Sequence, residues 1–210
     1  MQTEHCNMSA VKSNLRQQLE QVSGDIRHSL NVLDGENDCL LGMFEHIRKQ
    51  IIQIESTAAS FYLNCYLSPY TDKYAELTLG INHLTQRRHG ALIVVQREDS
   101  LDNLIQPGTP IGATLTHSLL ESIFISGSPL HDGAVIIRAN EIVSAGNILP
   151  LSHSIPAGTK FGTRHRAATG LSERSDALVL VVSEERGAAS FALNGRLYPI
   201  APDVPIGKQP

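Results

Sequence analysis

The stretch ALVLVVSEERGAASFAL, residues 177–193, decides the fold class. Its first six residues are apolar, and Val179, Val181 and Val182 are β-branched. A run this short suits a strand buried on both faces better than a core helix. The polar segment that follows turns at Arg186-Gly187, and residues 188–193 read as a second strand. Two short runs joined by a tight polar turn predict an antiparallel hairpin inside a sheet.

Working outward, residues 91–95 (ALIVV) form another short apolar run and read as a buried strand. Residues 134–138 (AVIIR), a tight turn at Ala139-Asn140 and residues 141–145 read as a second hairpin. Helical spacing appears between these strands. Leu115, Leu119, Leu120, Ile123 and Phe124 mark one helix, residues 164–170 a short one, and Leu77, Ile81 and Leu84 a third that begins near Thr71 or Asp72. This third helix ends where Arg87, Arg88 and His89 precede Gly90, cations in a last turn with a glycine beyond. Helices and strands alternate only in part, so the expected class is α/β (α+β), a mixed sheet flanked by helices. Residues 199–210 carry four prolines and are expected to be irregular.

The first sixty residues have another texture. Met8, Val11, Leu15, Leu19, Val22, Ile26, Leu30 and Leu33 recur at intervals of three and four, which draws one apolar stripe along a helix. Turn residues at 34–38 interrupt it, and Leu40, Met43, Ile47, Ile51, Ile54, Ala58 and Phe61 draw a second stripe. The pair reads as an N-terminal α-helical hairpin. A hairpin alone has too little core, so its stripes must dock on the rest of the chain or on other subunits. The expected division is 1–63 for the helical hairpin and 64–210 for the sheet domain.

The whole chain, 210 residues with a formal net charge of -4, does not suggest a bulk attraction to nucleic acid. Cys6, Cys39 and Cys65 are odd in number and widely spaced, and free thiols in a reducing cytoplasm are expected. The polar N-terminus is not a signal peptide, and no run approaches the roughly 18 apolar residues of a membrane span. The expectation is a cytoplasmic protein without a membrane segment.

Two segments carry chemistry. In Gly162-Thr163-Arg164-His165-Arg166-Ala167-Ala168, three basic side chains stand where a helix begins. The dipole disfavours cations at that end, and a bound polyanion would resolve the conflict. Arginine forks and the Thr163 hydroxyl suit phosphate oxygens. A solvated basic turn is the alternative reading. In Ser128-Pro129-Leu130-His131-Asp132-Gly133-Ala134, a carboxylate precedes a strand and would lie at the mouth of a sheet. Asp-Gly by itself is usually a turn. His131 is a candidate metal ligand beside it. Together these residues point to metal-assisted nucleotidyl or phosphoryl transfer. The P-loop pattern is missing, so another device must cradle phosphates.

The paired motifs Asp132-Gly133-Ala134 and Arg164-His165-Arg166 resemble the diadenylate cyclase domain, with Asn147-Ile148-Leu149-Pro150-Leu151-Ser152 between them and Ser183-Glu184-Glu185-Arg186-Gly187 after them. The resemblance covers roughly residues 70 to 200. It implies an enzyme that joins two ATP molecules into cyclic di-AMP and releases two pyrophosphates, with two active sites face to face. It implies catalytic roles for Asp132, Arg164, His165 and Arg166. ATP contacts would come from Gly133, Ala134, Leu149, Gly162, Thr163 and Ser183, and a divalent cation, Mn2+ or Mg2+, would lie on His131, Asp132 and Glu185. Some relatives carry an aromatic residue before the equivalent of Leu149, where this chain has Ile148. Two amphipathic helices ahead of the domain resemble the soluble, short branch of the family found in sporulating bacilli. The resemblance then implies a homo-oligomer built from catalytic dimers, with a hexamer as one arrangement. The hairpin would act there as a brake.

Overall fold

A computed structural model describes residues 9–33, 40–154 and 162–200. The turn expected at 34–38, Cys6, Cys39 and the segment from 201 onward lie outside the described residues.

The apolar runs pair into one seven-stranded mixed sheet. In chain order the elements are α1 (Ser9–Val32), α2 (Leu40–Leu67), α3 (Tyr74–Gln86), β1 (Ala91–Val95), β2 (Thr109–Thr114), α4 (His117–Phe124), β3 (Ala134–Arg138), β4 (Glu141–Asn147), α5 (Thr163–Ser172), β5 (Leu178–Ser183), β6 (Ala188–Leu193) and β7 (Arg196–Ile200). The sheet order is β2-β4-β3-β1-β5-β6-β7. β1 and β3 run parallel, and every other neighbouring pair is antiparallel.

The pleat divides the core in two. Along β1, Ala91, Ile93 and Val95 face a cluster with Leu63 and Leu67 of α2, Leu77 and Leu84 of α3 and Phe124 of α4. Leu92 and Val94 face the other side, with Ala167, Ala168 and Leu171 of α5. Alternation of side chains along a strand produces these two faces, and both are dry because helices cover each.

Two strands escaped the sequence reading, β2 and β7, and they are the two edges of the sheet. Each carries a proline, Pro110 and Pro199, which an edge tolerates because an outward-facing N–H is not needed for the ladder. Pro199 and Ile200 thus belong to a strand and not to an irregular tail. β2 also shifts register between Pro110 and Ala113, around Gly112 with φ +62°.

α2 is continuous across the expected boundary at 63/64, and its C-terminal half buries Ala59, Leu63 and Leu67 in the core of the sheet domain. Its N-terminal half packs against α1. Apolar side chains of the hairpin stay uncovered: Leu19, Ile26 and Leu30 of the α1 stripe with Leu33 just beyond it, Ile51 of the α2 stripe, and Leu41, Phe44 and Ile52 beside that stripe are exposed. Cys65 is disulfide-bonded, which corrects the expectation of free thiols for that residue.

Candidate functional site

The strand directions bring one set of ends together. The entries to β1 and β3 and the exits of β4 and β5 share one edge of the sheet. Gly90, Asp132-Gly133, Asn147 to Leu149 and Ser183 to Glu185 therefore meet there, and the N-terminus of α5 closes over them. A cavity of about 810 Å³ results. Asp132, Gly133 and Leu149 line it on one side, with Gly162, Thr163, Arg164 and His165 from α5 and Ser183 and Glu185 beyond β5. His131, Ala134 and Arg166 do not line it.

The loop before β3 is held tightly. Gly133 has φ +104°, and a Cβ there would lie 2.7 Å from the Gly146 carbonyl carbon and 2.9 Å from the Asn147 oxygen. Only glycine fits both the backbone conformation and the close approach. Asn147 is buried and ties three segments together. Its amide nitrogen donates to the Ala134 carbonyl at 2.8 Å. Its side-chain oxygen accepts from the Gly108 N–H at 2.9 Å and from the Ser144 hydroxyl at 3.0 Å. Both lone pairs of that amide oxygen and one of its N–H groups are thus spent on fixing the chain beside Asp132. Sequence reasoning passed over this role, since the three partners lie 3, 13 and 39 residues away.

His131 donates from Nδ1 to the Ser128 carbonyl at 2.5 Å. A carbonyl only accepts, so the proton sits on Nδ1 and the lone pair on Nε2, the tautomer a metal takes. Asp132 is exposed at the rim. No three His, Cys, Asp or Glu side chains among the described residues converge as a metal site. His131, Asp132 and Glu185 therefore do not close a cation cage within one chain.

α5 begins at the N-cap Gly162, which has no side chain to satisfy the first amides. Those amides are left for water or an anionic ligand. Arg164 Nη1 donates to Glu184 Oε2 at 2.8 Å. His165, next in line, is buried at 7% exposure. Burial, and then the charge of Arg186, hold its pKa below the ordinary value, while Glu185 opposes the shift. His165 is therefore neutral near pH 7, and the helix start carries two cations where the sequence reading counted three. Arg166 stands about 200° around the helix from Arg164. Its carbonyl accepts from Ser152 N–H at 2.9 Å, and its Nε is buried without a hydrogen-bond partner among the described residues. The segment after β4 is thereby hooked to α5, with Leu149 buried and Ile148 59% exposed at the cavity.

The family model described as DisA bacterial checkpoint controller nucleotide-binding matches residues 78–197, and the one described as Diadenylate cyclase CdaS, N-terminal matches residues 2–70. The chain is 51% identical over 191 residues to Diadenylate cyclase CdaS of Bacillus thuringiensis, covering 91% of this chain and 95% of that one. It is 44% identical over 200 residues to Cyclic di-AMP synthase CdaS of Bacillus subtilis, covering 95% and 96%. A solved structure titled hypothetical membrane spanning protein from Bacillus cereus superposes with a TM-score of 0.75 at 50% identity, over 91% of this chain and 94% of that one. In the present fold no helix among the described residues is long and apolar enough to cross a membrane. DacA from Staphylococcus aureus superposes with a TM-score of 0.58 at 41% identity, over 60% and 85%.

Proposed function

Because this chain belongs to the diadenylate cyclase family, we propose that it condenses two ATP molecules into cyclic di-AMP and releases two pyrophosphates. The observation that carries the reading is the single cavity in which Asp132-Gly133, the start of α5 and Ser183 to Glu185 meet. Each 3′-hydroxyl attacks the α-phosphate of the other nucleotide, and each P–O bond to pyrophosphate breaks. One chain holds one ATP, so two copies must face one another.

The chain's own groups divide the work. Asp132 holds the attacking end. The amides after Gly162, the Thr163 hydroxyl, the Arg164 fork and Ser183 receive phosphate oxygens. Neutral His165 offers a hydrogen bond there, and Arg166 supports the helix start from behind. Gly133 and Ala134 bring backbone close to the nucleotide, and Leu149 presents backbone to the adenine edge while Ile148 covers the ring. The carboxylates of Asp132 and Glu185 and the Nε2 of His131 suit a hard divalent cation, Mn2+ or Mg2+. Such an ion, when bound, neutralises charge on the phosphates and eases ionisation of the hydroxyl.

The exposed apolar side chains of α1 and α2 support a homo-oligomer; we place it in the cytoplasm, with residues 1–63 as a regulatory hairpin and 64–210 as the catalytic unit, α2 running across the division. Incubating the purified protein with ATP and Mn2+ and separating the products by chromatography tests the reading. Cyclic di-AMP supports it. ADP or AMP would mean a hydrolase, and bound but unchanged ATP a nucleotide sensor; either result overturns it.

A further inference from the structure

Antiparallel pairing of Ala91 with Val182 sets Gly90 beside the chain that leaves β5, where Glu184 begins the next turn. The start of α5 lies over the same point. A Cβ on Gly90 would lie 2.6 Å from Glu184 Oε2 and 2.8 Å from Arg164 Cζ, and closer still to Arg164 Nη1. The ion pair between Arg164 and Glu184 therefore occupies the space that any other residue at position 90 would fill. Gly90 is buried and does not adopt the left-handed conformation. Backbone strain does not call for a glycine here; a side chain would instead push the ends of Arg164 and Glu184 aside.

The charges follow the same logic. Arg164 stands in the first turn of α5, where the helix dipole opposes a cation. Glu184 relieves that conflict and, with its side chain 59% exposed, lies at the rim of the cavity. A carboxylate that close to a phosphate site would otherwise repel the ligand. The Arg164 side chain is 27% exposed, so its fork is partly enclosed and partly open to the cavity. A long arginine free to sample many rotamers loses that freedom on binding, and one already held loses less.

We propose that Gly90 and Glu184 are positioning residues for Arg164: the glycine leaves room for the guanidinium, and the carboxylate aims its fork at the nucleotide phosphates. The inference rests on the cyclase reading above, in which Arg164 binds phosphate.

Four variants test it: Gly90→Ala, Glu184→Ala, Glu184→Gln and Arg164→Ala. The readouts are KM and kcat for cyclic di-AMP formation, and the Kd of α,β-methylene ATP by calorimetry. A displaced charge-assisted contact is expected to weaken binding by about tenfold in Gly90→Ala and in Glu184→Ala. The loss falls on KM and Kd more than on kcat. Glu184→Gln keeps an acceptor for Nη1 and loses less than Glu184→Ala. In the Arg164→Ala background, Gly90→Ala has no guanidinium left to displace; it can move only the Glu184 carboxylate, which no longer has a fork to aim, and costs no further affinity. Wild-type affinity in both Gly90→Ala and Glu184→Ala, beside a clear loss in Arg164→Ala, overturns the inference alone. An equal loss from Gly90→Ala with and without Arg164 overturns it too, since the glycine then acts through something else. Wild-type affinity in Arg164→Ala overturns the phosphate role and the inference together.

Discussion

Replacing Gly170 with alanine sets two effects against each other. Inside a helix the exchange ordinarily stabilises by about 1 kcal/mol, since glycine costs more conformational entropy. Here Gly170 lies where α5 crosses the segment leaving β4. An added Cβ would stand 2.5 Å from Ser152 N and 2.6 Å from Leu151 C, and closer to the Pro150 oxygen, whereas ordinary contact begins at 3.4 Å. All three neighbours are backbone atoms, so none can rotate aside. The segment is also pinned to the helix, by Ser152 N–H to the Arg166 carbonyl at 2.9 Å and Ser152 Oγ to Glu173 Oε1 at 2.7 Å. Relief needs a backbone shift of about 1 Å, which places the cost near the top of the overpacking range, about 3 kcal/mol. The net expectation is a loss of about 2 kcal/mol, or a Tm lower by about 4–8 °C for a chain of this size. Leu149 and Leu151 line the cavity, so ATP affinity should fall as well. Thermal melts followed by circular dichroism, with urea titrations to confirm an unchanged slope, read the first effect. A Tm equal to or above wild type would refute the close-contact reasoning.

Asp132→Asn keeps the shape and removes the charge, and is expected to abolish cyclic di-AMP formation while the melt stays near that of wild type; turnover at the normal rate would remove Asp132 from the chemistry. His165 has a folded pKa below its ordinary 6.5, because burial disfavours its charged form. The unfolded chain then binds the extra proton first, so stability is full above about pH 7 and declines as pH falls through the unfolded value toward the folded one. His165→Gln should flatten Tm against pH in that window, and an unaltered slope would contradict the assignment. Deleting α1 by starting the chain near residue 34 should raise specific activity and make the rate per subunit depend on protein concentration, as expected when a brake on pairing is lost. A cut at residue 63 would also remove Ala59 and Leu63 from the core. Truncating a buried leucine alone costs about 2–5 kcal/mol, so the shorter protein should melt lower. A folded chain lacking α1 that makes less cyclic di-AMP at every concentration would refute the brake.

Local pattern was sufficient for much of this molecule. The runs at 91–95, 134–138 and 188–193 form strands at the bounds the sequence predicts, because short apolar segments flanked by turn residues have few other ways to bury themselves. The helix expected at 115–124 runs from His117 to Phe124, behind Thr116 whose hydroxyl accepts the Leu119 N–H at 3.2 Å. The paired motifs at 131–134 and 162–168 stood out in the sequence as candidates, since a carboxylate before a strand and basic residues at a helix start are anomalies, and the fold brings Asp132, Gly133 and residues 162–165 to one cavity. β2 and β7 were not legible, because an edge strand relaxes the rules that mark an inner one.

What sequence alone determined is the class of parts: which segments are strands, which are amphipathic helices, and which polar residues stand where structure by itself would not want them. Tertiary structure decided how those parts act. Asn147 became a clamp through bonds to Ala134, Gly108 and Ser144. His165 has its pKa held below the ordinary value by burial and then by the charge of Arg186. α2 joined the core through Leu63 and Leu67, so the hairpin and the sheet domain share a helix. Glu184, adjacent in sequence to the predicted ligand Glu185, was drawn to Arg164 across the empty side of Gly90. The physical reason is common to all four. Periodicity and turn chemistry act over a few residues, whereas burial, charge pairing and steric room are set by neighbours that only the folded chain brings together.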